Sequence, residues 1–347
     1  MDKTKITIYD VADRAGVAIS TVSRVLNGSP EVSPETRRRV QAAIEALEFR
    51  PDRTAKALAQ RQTDSIAVAV PSSTSQFYNE LLKGVKDCFR EHDIDLLLCN
   101  LGSGAPLQTL WRFLTRGAVD ALMLASLPVD DRLSHELRML HAPVVLIGSE
   151  SPDFDCFYWD DEAGAHEATL HLITNGHRRI GHITANVWDS KLADTKANTL
   201  RVDGYRRALE ESGIAFDADL IQSGRTLKHA GFSEEAGFEA MQKLLAIDPN
   251  VSAVFAGSDV QAIGAWKALR EMGKTVPGEF AIVGYDDIKI SRYIGLSSVD
   301  QQMQQIGYRA SELLLRRIAE GGQTVLVNEE IIPQLTVRES SNFQWKA

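Results

Sequence analysis

The sequence predicts an α/β protein in two parts, a small N-terminal module of three short helices and a larger two-lobed core of parallel sheets flanked by helices. Two observations carry this. Residues 7–47 contain three helical segments bounded by caps and a tight glycine turn, and from Ser65 onward apolar pulses of strand length alternate with amphipathic stretches of helix length. Continuous apolar strands separated by helices describe parallel sheets covered on both faces, and these units are too many for one sheet. At 347 residues each part can bury its own core.

Thr7 followed three residues later by Asp10 has the form of a capping box and starts a helix through IYDVADRA, which Gly16 ends. In ISTVSRVLN, residues Val22, Val25 and Leu26 are spaced to pack inward, leaving Ile19, Ser20, Ser23 and Arg24 facing out. Short hydroxyl side chains let a helix approach a phosphate backbone, and an Arg fork matches guanine O6 and N7. Asn27-Gly28 closes this helix. Ser33 as N-cap with Pro34 at N1 opens a third, ETRRRVQAAIEAL. By spacing alone the module fits an ordinary helical hairpin as well as a DNA-reading one.

The next stretch, FRPDRTAKALAQRQTDS, puts Ala55, Leu58 and Ala59 on one face of a short helix beginning near Pro51 and Asp52. A nine-residue helix is marginal in water without a partner, so a plain basic linker is the competing reading. The core then runs through the pulses SIAVAVP, DIDLLLCNL, VDALMLASLP, APVVLIGSE, RRIGHIT, VSAVFAGSD and FAIVGYDD, with helices such as QFYNELLKGVKDCFREH and DVQAIGAWKALREMG between them. Ser126, Ser258 with Asp259, and Asp286 with Asp287 follow strands, where open α/β sheets bind ligands.

Charge is divided between the parts. Residues 1–61 carry 11 Lys/Arg against 8 Asp/Glu, and the remainder carries 27 against 39. A basic module on an acidic body suits a polyanion partner at one end only. The three cysteines form no Cys-x-x-Cys pair, and no apolar run is long enough to span a bilayer, so a reducing, cytoplasmic setting without a membrane partner is expected. Nucleophile-elbow, Walker, His-Glu-x-x-His and dinucleotide-binding motifs are missing, so no catalytic residues, cofactor or metal are expected. His177 and His182 flank a predicted buried strand and read as structural.

IYDVADRAGVAISTVSRVLNG with VSPETRRRV resembles, almost residue for residue, the N-terminal domain of the lactose-repressor/galactose-repressor family of bacterial transcription regulators. NGHRRIGHI, LRVDGYRRAL, FAGSDVQAIGAWKAL and VGYDD extend the resemblance along nearly the whole chain. It implies a helix-turn-helix DNA-binding domain at 1–50, a hinge helix at 51–63 and a periplasmic-binding-protein-like core at 64–340, with a tail at 341–347. One lobe would comprise about 64–165 and 299–328, the other about 166–298 and 329–340. Ile19, Ser20 and Arg24 would face base edges, and Thr7, Thr21, Ser23, Asn27, Ser33 and Thr36 would hold phosphates. Leu58 and Ala55 would enter the minor groove, where apolar wedges unstack bases. Asp52 departs from the family's usual Asn.

In the cleft, the resemblance implies an effector held by Phe77, Ser126, Asp160, Asp161, Arg201, Ser258, Asp286 and Gln301, with Trp159 and Trp188 as further aromatic candidates. Planar polar groups beside an aromatic face suit a sugar ring; a nucleoside, purine or sugar phosphate is the alternative. Ala163 stands where a sugar-responsive relative has Asp, and the longer segment between Gly224 and Gly237 implies a reshaped loop. The implied assembly is a homodimer on a pseudo-palindromic double-stranded operator. With no leucine heptad at the C-terminus, no tetramer is expected.

Overall fold

The structure is a computed structural model that describes residues 6–26, 28–49, 63–102, 104–116, 119–185, 195–225, 231–321 and 325–345. Asn27, Asp52, Ala55, Leu58 and Trp188 lie outside the described residues. The chain divides into two compact units after Asp64.

The first unit holds α1 (Ile8–Ala15), α2 (Ile19–Leu26) and α3 (Pro34–Ala46). The Asp10 carboxylate accepts hydrogen bonds from the Thr7 backbone N–H and hydroxyl, each at 2.7 Å, which holds its pKa below the usual value. Gly16 ends α1 at φ 62, a conformation that costs a Cβ-bearing residue more than glycine. Ser33 accepts from the Thr36 N–H, and Pro34 occupies the first turn of α3. Val11, Ala12, Val22, Val25, Val40, Ala43 and Phe49 form the core. Leu26 corrects the sequence expectation: it is 37 % exposed at the end of α2, where the helix face has turned past the small core. The basic run is partly structural, because Arg37 donates to the Ser29 carbonyl and Arg39 to that of Ala15 at the end of α1.

The second unit contains two six-stranded sheets. Sheet A has the order β11-β5-β4-β3-β1-β2, built from β1 (Ser65–Val70), β2 (Asp95–Asn100), β3 (Ala121–Ala125), β4 (Val144–Ile147), β5 (Asp155–Trp159) and β11 (Asn328–Ile331). Sheet B has the order β12-β10-β9-β8-β6-β7, from β6 (Ile180–Ile183), β7 (Ile221–Gln222), β8 (Ala253–Ala256), β9 (Ala281–Tyr285), β10 (Ser297–Asp300) and β12 (Gln334–Thr336). All pairings are parallel except β10 with β12. Helices α4 (Gln76–Arg90), α5 (Pro106–Leu114), α6 (Asp131–Arg138) and α12 (Met303–Glu320) cover sheet A. Helices α7 (Asp161–Thr174), α8 (Thr195–Glu211), α9 (Glu234–Ile247) and α10 (Asp259–Glu271) cover sheet B, with the short α11 (Lys289–Ile294) following β9. Among the described residues no helix is long and apolar enough to cross a membrane.

These sheets correct the expected lobe limits. Helix α7 packs on sheet B, β10 completes sheet B, and β11 pairs with β5 in sheet A. The chain therefore crosses between lobes after Asp160, at Gln301-Gln302 and at Ile332-Pro333. The reason is that β10 (SSVD) and β11 (NEEI) carry no apolar pulse, although β10 is buried. The expected tail is also partly core, since Ser341 is fully buried and the Trp345 N–H bonds the Asn175 carbonyl at 2.8 Å.

Close helix approach fixes the helix pairs that cover both sheets. A Cβ built on Gly264 of α10 would lie 1.9 Å from the Glu234 carbonyl at the start of α9, and one on Gly84 of α4 would lie 1.8 Å from the Gln304 carbonyl of α12. Glycine costs a helix about 1 kcal/mol relative to Ala. Forcing these backbones apart costs about 1–3 kcal/mol or more, so the close packing wins.

Candidate functional site

In the first unit, α2 presents Ile19, Ser20 and Arg24 to solvent, with Thr21 and Ser23 half-buried beside them. Arg24 faces Glu31 at 3.9 Å with both side chains exposed, a pairing weak enough to give up for a better acceptor. Thr7, Ser33 and Thr36 sit around the starts of α1 and α3. The Thr36 hydroxyl accepts from Ser33 and keeps its own proton to donate. Thr7 differs, having directed both its N–H and its hydroxyl to Asp10.

In the second unit a cavity of about 890 Å³ opens at the C-terminal ends of the strands, between the two sheets. All eight residues expected in the cleft, Phe77, Ser126, Asp160, Asp161, Arg201, Ser258, Asp286 and Gln301, line it, and so does Trp159. Their sequence separation is wide, and the fold brings them together because all but Arg201 follow a strand or begin a helix at the same edge, while Arg201 reaches in from the second turn of α8.

The buried polar centre is an ion pair. The Arg201 guanidinium donates to the Asp161 carboxylate at 2.9 Å and to the Gly257 carbonyl at 2.5 Å, and it lies 3.8 Å above the Tyr285 ring. Burial, with Asp161 alongside, pushes the Tyr285 hydroxyl well above its ordinary pKa. Beside this pair, the Trp159 indole N–H donates to the Gln301 carbonyl at 2.8 Å, and Phe77 meets the Trp159 ring edge-on. Among the described residues the Gln301 side-chain oxygen is buried without a hydrogen-bond partner.

Asp286 is held in an unusual backbone conformation, φ 110, and Asp287 follows at φ 47. Such angles cost non-glycine residues free energy and persist where surroundings over-determine them. Here Asp259, fully buried at the start of α10, accepts from the Ile288 N–H and the Ser291 and Ser298 hydroxyls. Asp287 pairs with Arg338, and its N–H donates to Ser298. Asp259 and Asp287 therefore shape the loop that presents Asp286. Asp160 and Ser258 also cap α7 and α10, through the Ala163 and Gln261 N–H groups. Ala163 does not line the cavity.

Sequence reasoning missed Asn100, Glu150, Tyr158, Lys196, Phe232, Glu234 and Glu330, all lining the cavity. Asn100 ends β2 and Glu150 follows β4, both strands that were recognised, so the strand-end rule would have found them. Glu330 lies on β11, which lacks an apolar signature, and Tyr158 lies within β5 (DCFYW), an apolar run that was not among the strands recognised. Among the described residues no group of His, Cys, Asp or Glu could hold a metal ion.

Residues 7–52 match the family model described as bacterial regulatory proteins, lacI family, and residues 169–341 match that of a periplasmic binding protein-like domain. The HTH-type transcriptional regulator CelR of Thermobifida fusca is 35 % identical over 96 % of this chain and 98 % of its own length. A solved CelR-cellobiose complex shares 34 % identity and a TM-score of 0.68, covering 96 % of this chain and 99 % of that one. The lac repressor dimer bound to operator and the anti-inducer ONPF matches with a TM-score of 0.82 at 25 % identity, covering 97 % and 99 %. With a relative this similar along almost its full length, carrying both the helical module and the two-sheet core, the chain belongs to the LacI family of bacterial transcriptional regulators.

Proposed function

We propose that this regulator binds operator DNA as a homodimer and that a small sugar in the core cavity sets its operator affinity, without catalysis. Helix α2 enters the major groove, with Ile19, Ser20 and Arg24 at base edges. Thr21, Ser23, Ser33 and Thr36, joined by Thr7 and Asn27, hold the phosphates. The observation that carries the ligand reading is the convergence of Arg201, Asp161, Asp286 and Gln301 with the Phe77–Trp159 aromatic pair on one cavity. Sugars offer hydroxyls at the rim and C–H groups on the faces, which match such a lining. Solved relatives hold cellobiose or ONPF, and the latter is an operator-bound dimer.

A ligand that prefers one arrangement of the lobes shifts the protein toward it, and any effect on DNA is reciprocated on the ligand. A thermal-shift screen with neutral sugars, sugar phosphates and nucleosides tests the ligand class. A sugar at about 100 times its Kd should stabilise the core by about 2.7 kcal/mol, and Asp286→Asn should remove most of that shift. Stabilisation by nucleosides alone would reject a sugar ligand.

A further inference from the structure

We infer that the cavity takes an uncharged oligosaccharide of at least two rings and discriminates against phosphorylated sugars. This rests on the reading of the cavity as a sugar site and deepens it through three observations: its length, its two aromatic positions and its charge.

Residues after or at the ends of all six strands of sheet A line the cavity, from Glu330 on β11 through Tyr158, Gly148 and Ser126 to Pro71 and Asn100. Six adjacent strands at the usual spacing span roughly 24 Å, whereas one pyranose with its hydroxyls covers about two spacings. The wall is therefore longer than a monosaccharide can use.

Aromatic groups stand on both sides of it at the end of β5. Trp159 packs with the side chains on the α4/α12 face of sheet A, together with Phe77. Cys156 packs on the opposite face, and because side chains alternate along a strand, Tyr158 projects to the same side as Cys156. Trp159 and Tyr158 thus flank the end of β5 on opposite sides of the sheet, and both line the cavity. That arrangement provides two surfaces for the apolar faces of two rings, the inner beside Gln301 and the outer towards Glu150 and Glu330.

Among the described residues the lining carries seven carboxylates against two cations. Each cation already faces a carboxylate, Lys196 with Glu150 at 2.6 Å and Arg201 with Asp161 at 2.9 Å. Helix N-termini at a cleft would ordinarily attract a phosphate. Here the first turns of α7, α9 and α10 hold their own acids, Asp161 and Glu162, Glu234 and Glu235, and Asp259. Asp160, Ser233 and Ser258 also occupy N–H groups of those turns. The start of α4 lacks a first-turn acid and a side-chain cap bond, so it can serve neutral hydroxyls without offsetting the acidic surroundings.

Isothermal titration of the full chain tests this, using glucose, galactose, mannose and xylose, their common di- and trisaccharides, and the 6-phosphates of the hexoses and of the tightest disaccharide. One di- or trisaccharide should bind at least about tenfold more tightly than its component monosaccharides, and its phosphate at least about tenfold more weakly than the neutral form. Tyr158→Ala, with its unfolding midpoint recorded alongside, should remove the disaccharide's advantage, and Glu330→Gln should lessen the penalty on the phosphate. A monosaccharide that equals the longer sugars, or a phosphate that equals its parent, overturns the inference while leaving a sugar cavity intact. Binding by no saccharide rejects the sugar cavity itself, and the inference with it.

Discussion

Replacing Arg201 with Ala is expected to lower the unfolding midpoint of the core more than loss of any exposed ion pair and to abolish its response to a cavity ligand. Arg201 and Asp161 are each only 6 % exposed. The guanidinium satisfies Asp161, bonds the Gly257 carbonyl and covers the Tyr285 ring. Removing it leaves the Asp161 charge buried without that partner, which costs about 3–5 kcal/mol. At about 2–4 °C per kcal/mol for a domain of this class, the midpoint should fall by several degrees or more. Arg201→Gln combined with Asp161→Asn removes both charges and should recover part of the loss. Calorimetry of the three proteins checks this. A midpoint for Arg201→Ala within about 2 °C of the parent, well inside what that penalty implies, would show that the pair is not the cavity's structural centre.

Mild acid should destabilise the core through His177 and His182. Burial holds both imidazoles down at a pKa of about 4. The His182 ring stacks on Phe255 and Tyr205, one nitrogen shares a hydrogen bond with the Phe255 carbonyl, and the other is buried with no partner among the described residues. His177 is fully buried against Ser252, Phe343 and Trp345. Because these groups bind protons less readily when folded, the unfolded chain takes up protons first. Their contribution is present above pH 6.5 and is lost as pH falls from there towards 4. Each histidine then costs about 2 kcal/mol between pH 7 and 5. Asp259 titrates in the opposite sense, since burial raises its carboxyl to about 7, so the informative quantity is a difference. His182→Gln should flatten the pH dependence of stability by about one histidine's worth, measured by denaturant titration at pH 7 and 5. Parallel curves for parent and variant would contradict the buried, neutral assignment.

Much of the architecture was legible because its signals are local. Thr7 with Asp10, Ser33 with Pro34 and the αL glycine at 16 each specify a helix end within a few residues, and the apolar pulses of β1, β3, β4, β6, β8 and β9 read directly as buried strands. The cleft residues were reached through strand ends and the family resemblance. What escaped is non-local: β10 is rich in serine yet buried, because Ser297 and Ser298 find partners in Arg338, Ser340 and Asp259 far along the chain. The part Asp259 plays in shaping the Asp286 loop is likewise visible only when α10, α11 and β10 are brought together. Leu26 satisfied helical spacing and still faces solvent, since periodicity does not reveal where a three-helix core ends.

The most direct test is linkage between DNA and the cavity. Operator DNA selected from a random pool by the full chain is titrated by fluorescence anisotropy with and without the saccharide found above, and the saccharide is titrated with and without that DNA. Saccharide is expected to change operator affinity, DNA to change saccharide affinity by the same factor, typically about 5–150-fold, and Asp286→Asn to diminish both together. Saccharide binding that leaves operator affinity unchanged would contradict that linkage, because the cavity would then hold a ligand that does not regulate.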